Sequence, residues 1–224
     1  MRARLFLIVA ALGTAACSPG LRPLPLPPRT APTDQDPIAA EPSTTVEAPE
    51  GAVAADLDYL TRRQLMVPVA GIEPRKIPDS FNEPRDGGGR VHRAVDILAP
   101  RGTPVLAADA GVIFKMKSNT LGGITIYALD ASHRFVYYYA HLDHYRDDLY
   151  EGAPLAQGDV IGYVGTTGNA PKDTPHLHFQ IMRMRTDGKY WDGEPVDPRP
   201  FLVRSGRLVA RNATNVEGAR SAQK

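Results

Sequence analysis

The chain has 224 residues, 42% hydrophobic and 23% charged, with a formal charge of +1. That length bounds one folded domain with a sizeable core, and without a basic stripe or a stacked aromatic and basic surface, nucleic acid is not an expected partner. Cys17 is the only cysteine, which excludes a disulfide framework and a thiolate metal site.

The N-terminus has a basic start (Arg2, Arg4), an apolar run from Leu5 to Leu12 and the small residues Thr14-Ala15-Ala16. This reads as a secretory signal peptide over residues 1–16; the run falls short of the ~20 apolar residues of a membrane span. Cys17, directly after the small residues, resembles the acylated cysteine of a bacterial lipobox, although Thr14 stands where leucine is usual. Ser18 is non-acidic, which in Gram-negative lipoproteins implies outer-membrane sorting. The expected location is the cell envelope, as an outer-membrane lipoprotein facing the periplasm and holding the membrane through its lipid anchor.

Residues 17–50 form a Pro-rich linker, with nine prolines between Pro19 and Pro49 and no apolar periodicity. Residues 51–66 form a short helical lead-in. Ala54, Leu57 and Leu60 recur at threes, predicting one helix over Ala54–Leu65 packed at the entrance to the domain. The folded domain spans residues 67–203. Residues 204–224 are a basic tail (Arg204, Arg207, Arg211, Arg220 and Lys224 against Glu217), expected to be solvated.

Within the domain, β-rich runs alternate with turn signals. They are Thr103–Ala107, Gly111–Lys117, Ile124–Leu129, Phe135–His141, Asp159–Val164 and His176–Met182. Short strands at this spacing, without helical periods between them, predict a mainly β fold, an antiparallel sheet, sandwich or barrel. Tyr137, Tyr138 and Tyr139 alternate faces, so at least one belongs to the core and another can line a groove.

Four of the six histidines, His92, His141, His176 and His178, fall in these regular segments. Residues i and i+2 of a strand share a face, ~7 Å apart, so His176 and His178 point the same way. One can bind a metal while the other faces what the metal activates. His92 and Asp96 add a nitrogen and an oxygen, and three protein ligands leave a fourth position open, as in catalytic zinc sites. Four residues along one strand span ~13 Å, too far for His92 and Asp96 to share one ion. His92 is therefore placed on a loop turning at Arg93-Ala94, and Asp96 on a strand Val95–Leu98. The helical His-Glu-x-x-His pattern is absent. The pattern argues for a hydrolase. His133, in a turn signal, and His144 read as solvated.

Taken together, the segments carry a family resemblance. They are Val91-His92-Arg93-Ala94-Val95-Asp96-Ile97, Pro100-Arg101-Gly102-Thr103-Pro104-Val105, Tyr138-Tyr139-Ala140-His141-Leu142, Gly158-Asp159-Val160-Ile161-Gly162, Gly165-Thr166-Thr167-Gly168, His176-Leu177-His178-Phe179 and Val196-Asp197-Pro198. In this order they resemble the lysostaphin-type zinc metallopeptidases of bacterial cell walls, the LytM-domain peptidases. The resemblance implies a LytM-type domain with His92, Asp96 and His178 as Zn2+ ligands and His141 and His176 as catalytic histidines that do not bind the metal. It further implies a metalloendopeptidase acting on peptide cross-links of peptidoglycan, most naturally the D-alanyl–diaminopimelate bond of a Gram-negative wall. Ala94 stands where the family often has glycine, Pro175 precedes the His pair, and Gln180 replaces a frequent glutamate; none is a ligand.

Two rival readings are separated by the same residues. Many relatives have lost zinc ligands and act as non-enzymatic wall-binding proteins or amidase activators, whereas all five positions are filled here. A sugar-binding or phosphocarrier domain of similar β architecture needs neither a secretion signal nor Asp96. The sequence leaves the oligomeric state open.

Overall fold

A computed structural model describes residues 50–207. The signal peptide, Cys17 and the linker up to residue 49, and the tail from residue 208, lie outside the described residues.

Helix α1 (Glu50–Arg63) begins four residues before the predicted start and ends two before the predicted end. Its stop has a local cause. Gln64 takes a left-handed conformation (φ 49), which closes the helix and sends Leu65 into a strand instead. The helix is fixed by one buried leucine, Leu60, and by polar ties. Tyr59 stacks on Phe135 and donates its hydroxyl to Asp130 (2.6 Å). Arg63 donates twice to the buried Asp109 (2.8 and 2.7 Å), and Asp56 pairs with Arg134 and Arg183.

The strands are β1 (Leu65–Met66), β2 (Pro84–Arg85), β3 (Arg90–Val91), β4 (Val95–Leu98), β5 (Pro104–Leu106), β6 (Gly111–Asn119) and β7 (Gly123–Asp130). They continue with β8 (Phe135–Tyr145), β9 (Pro154–Leu155), β10 (Val160–Val164), β11 (His176–Arg183), β12 (Glu194–Val196) and β13 (Leu202–Arg204). Nine of them join one antiparallel network with the path β12-β11-β8-β7-β6-β9, to which β4, β5 and β10 attach. The mainly β, antiparallel expectation holds. β1 and β13 pair in parallel apart from it, and β2 and β3 form a small hairpin.

The long strand β8 organises the sheet because it changes partner halfway. Residues 135–140 pair with β11, while Leu142, His144 and Tyr145 pair with β10. At this fork lies His141, with φ 61. The β7–β8 ladder also slips register here, between Ile124 and Ile126. A residue at such a break leaves the flat ladder, and its side chain can be aimed somewhere a regular strand could not send it.

Alternation sorts the side chains into two faces. Leu177, Phe179 and Ile181 of β11, Val95 and Ile97 of β4, and Tyr137 and Tyr139 of β8 enter the main core. Each large apolar side chain buried this way contributes about 1.5–3 kcal/mol. The opposite face carries Asp96, His178, Ala140, Tyr138 and Tyr127, and it floors a cleft. Tyr137 and Tyr139 are thus core and Tyr138 lines the groove. A second cluster of Leu129, Val136 and Met182, with Tyr127, Tyr138 and Tyr190 packed on it, supports the other end of that face.

Candidate metal centre

Antiparallel pairing builds the first half of the site. β4 and β11 are in register with Asp96 directly opposite His178, which places two side chains of one face side by side. His178 also lies opposite Ala140 of β8, whose small side chain leaves room above the sheet. The third member comes from a loop. After β3 the chain turns at Arg93 (φ 57), with His92 N–H donating to the Glu83 carbonyl (2.9 Å) and Arg93 N–H to that of Phe81 (2.8 Å). His92 reaches Asp96 from outside its strand, the arrangement the sequence requires.

Three ligand-type atoms converge. His92 Nε2 is 3.1 Å from Asp96 Oδ1 and 3.1 Å from His178 Nδ1, and His178 Nδ1 is 3.0 Å from Asp96 Oδ1. The Nδ1 of His92 lies 2.9 Å from the Ser80 carbonyl, to which it donates, so its Nε2 presents a lone pair. One proton can serve only part of a triangle of two ring nitrogens and a carboxylate oxygen, whereas a cation satisfies all three at once. For zinc bonds of ~2.0–2.1 Å a tetrahedral edge is ~3.4 Å, so the observed spacing needs only a few tenths of an ångström of expansion. Two imidazoles and one carboxylate also favour zinc over calcium or magnesium. The residues present fit the ion.

His141 and His176 stand beside this triangle. Their ring centroids are 5.0 Å apart, and that of His141 is 5.7 Å from that of His178. Both are buried, and both repeat one device. Nδ1 of His141 is 2.9 Å from the Thr167 carbonyl and Nδ1 of His176 is 2.8 Å from the Thr174 carbonyl, leaving each Nε2 as the unprotonated ring atom. Nε2 of His176 lies 3.8 Å from Asp96 Oδ1. The Thr167 carbonyl is itself held by a close approach of two loops. A Cβ on Gly123 (φ 66) would lie 2.2 Å from Thr167 Oγ1, and one on Gly168 (φ 68) would lie 2.3 Å from Gly123 N. Only glycine fits either place.

Burial pushes the Asp96 carboxyl upward, but hydrogen bonds and charge from His178 and His92 outweigh it and hold Asp96 well below the usual carboxylate range. Burial and the neighbouring His178 push His141 down to about 4, against the opposing hydrogen bond to Thr167. Burial likewise lowers His178, against the pull of Asp96. Neutral imidazoles and an ionised carboxylate are the protonation states that metal binding requires.

All five motif residues come together. His144 stacks on Tyr163 and bonds Asp143 at an exposed position, and His133 is exposed in a turn; neither joins the site. Sequence reasoning missed Arg85, whose Nη2 lies 2.7 Å from Asp96 Oδ2. No spacing rule links an arginine before a glycine-rich turn to a carboxylate eleven residues later. It also missed Tyr190 and Trp191, which edge the cleft from the loop between β11 and β12.

Residues 90–198 match the model of peptidase family M23. The chain is similar to the L-Ala--D-Glu endopeptidase of Bacillus subtilis, 33% identical over 123 residues, 52% of this chain and 36% of that protein. It is also similar to the peptidoglycan DD-endopeptidase ShyC of Vibrio cholerae, 34% identical over 112 residues, 48% of this chain and 25% of that protein. The chain therefore spans about a third or less of the length of these two curated relatives. Among solved structures, the antimicrobial peptidase lysostaphin from Staphylococcus simulans is 28% identical with a TM-score of 0.51, over 62% of this chain and 53% of that one. Residues 90–198 thus form a peptidase family M23 domain, homologous to the LytM- and lysostaphin-type peptidoglycan endopeptidases.

Proposed function

We propose that the protein is a zinc-dependent endopeptidase that hydrolyses peptide cross-links of peptidoglycan. His92 through Nε2, Asp96 through Oδ1 and His178 through Nδ1 would hold the metal. The convergence of these three atoms within 4.8 Å of one another carries the reading. When bound, zinc supplies Lewis acidity to a scissile carbonyl and lowers the pKa of a water toward ~7.

The remaining chemistry falls to residues of the chain. Nε2 of His141 and Nε2 of His176 are proton-transfer atoms. With both Nδ1 atoms donating to backbone carbonyls, each Nε2 can accept a proton and later return it to a leaving amine or a developing oxyanion. Burial keeps the His141 ring uncharged at neutral pH, which leaves the lone pair on its Nε2 unoccupied. The cleft presents a peptide to both, with Tyr138 and Tyr127 on its floor and Trp191 on its rim. The peptidoglycan endopeptidase activities named for the two curated relatives support the substrate, and ShyC in particular supports a DD cross-link.

The lipobox-like Cys17 supports a lipid anchor, which would hold the domain at the periplasmic face of the outer membrane, beside its substrate. Digestion of purified peptidoglycan by the purified protein, with product masses read, tests the activity. Release of uncross-linked peptides is expected, and no release from any wall tested defeats the reading.

A further inference from the structure

The hairpin of β2 and β3 contributes none of the five motif residues, yet it delivers a cation to the centre of the site. Arg85 Nη2 lies 2.7 Å from Asp96 Oδ2, within the range of charge-assisted bonds, and 3.4 Å from Glu83 Oε2. We propose that Arg85 is a positioning residue of the metal centre: its guanidinium occupies Oδ2 of Asp96, so that Oδ1 alone is turned toward His92 and His178. The inference rests on the zinc reading above.

The two oxygens of a carboxylate are equivalent until something distinguishes them. In Asp96 the distinction is complete, since Oδ1 meets both ring nitrogens at 3.0–3.1 Å while Oδ2 meets the guanidinium. Without Arg85 the group is free to rotate, or to offer both oxygens to one ion. The hairpin fixes the donor from the same backbone that fixes a ligand. Pro84 pairs with Val91 and Arg85 with Arg90, and Glu83 next to them accepts the N–H of His92. Gly87 (φ 70) and Gly88 (φ 100) close the turn between the strands. One short element therefore sets both the approach of His92 and the rotation of Asp96.

The Arg85 side chain is 33% exposed, so solvent screens part of its pairing with Asp96 and its removal is expected to cost the fold little. Two effects on the metal compete: orientation of Asp96 favours binding, and the positive charge of the guanidinium opposes it. Outer-sphere partners of metal ligands are worth 10–100-fold in affinity, which is the scale expected if orientation prevails.

The test measures the zinc dissociation constant of the full chain by chelator competition, with no substrate present, together with the melting temperature of the metal-free protein. Arg85→Ala should weaken zinc binding by about 10–100-fold and leave the metal-free melting temperature within a few degrees. Arg85→Lys should recover part of the loss, because a single ammonium donor still reaches one oxygen. Wild-type or tighter zinc binding in Arg85→Ala overturns the proposal. Should Arg85→Ala fail to fold, Arg85→Met, which keeps the chain's apolar bulk without a donor, takes its place, and wild-type affinity there overturns the proposal equally. A wild-type chain that binds no zinc removes the zinc reading itself, a result distinct from zinc binding that ignores Arg85.

Discussion

Replacing His141 or His176 with alanine separates catalysis from metal binding. Neither ring nitrogen belongs to the ligand triangle, so either variant should keep its zinc. What each loses is one Nε2 beside that triangle and one Nδ1–H donated to a backbone carbonyl, of Thr167 or Thr174. The lost donor leaves a carbonyl short of one bond in a part-buried place, a cost of about 1–2 kcal/mol. In a domain of this size that lowers the melting temperature by roughly 2–8 °C. Loss of positioned proton transfer costs about 10²–10⁴-fold in turnover, or ~2.7–5.5 kcal/mol on the barrier. The rate should therefore fall far more than the stability does. Zinc per chain by elemental analysis, melting by calorimetry and release of uncross-linked peptides are measured side by side. If either variant loses zinc in proportion to rate, that histidine is a ligand or a structural post and the assignment of roles is refuted.

Three further outcomes follow, two from the structure and one from the sequence. Arg63→Ala leaves the carboxylate of Asp109, only 4% exposed, with Tyr137 (3.0 Å) and one backbone N–H (2.8 Å) as its donors. Because Arg63 itself is partly solvated, a loss of about 2–3 kcal/mol in chemical denaturation is expected rather than the larger penalty of a fully buried pair; an unchanged midpoint contradicts the docking of α1. Burial pushes the Asp130 carboxyl up, but donors from Ser132, Tyr59 and Phe135 outweigh it and leave it lowered from 3.8. Its contribution is thus complete above the unfolded value and is lost as pH falls through the folded one, so Asp130→Asn should flatten the drop in stability below pH 4, and an equally steep drop would refute this. Cys17→Ala should move the protein from the membrane to the soluble fraction or leave it unprocessed, and an unmodified mature N-terminus elsewhere sinks the lipid anchor.

Much of the active face could be read from residue order because it depends on strand periodicity. His176 and His178 share a face for the same reason that Leu177 and Phe179 share the core, and the impossible span between His92 and Asp96 forces a loop at Arg93. What escaped lies where pairing is short or distant. β1 and β13 have two and three residues each and meet across most of the domain, too little for a pattern. The glycines at 87–89 carry no apolar alternation, although they close the hairpin that carries Arg85. The strand expected to stop at His141 runs on to Tyr145 because β8 exchanges β11 for β10, and an exchange of partner leaves no mark on hydrophobic alternation. The helix end failed for a local reason, since Gln64 is not a residue that announces a left-handed conformation.

The central claim is that a His92–Asp96–His178 zinc centre cuts wall cross-links. It is tested most directly by incubating peptidoglycan with the purified chain in three states: as isolated, stripped by a chelator, and stripped then reloaded with one equivalent of zinc. Mass spectrometry of the released peptides is the readout. The account predicts new uncross-linked peptides in the first and third states and none in the second. Cleavage that persists after stripping, or fails to return with zinc, contradicts it.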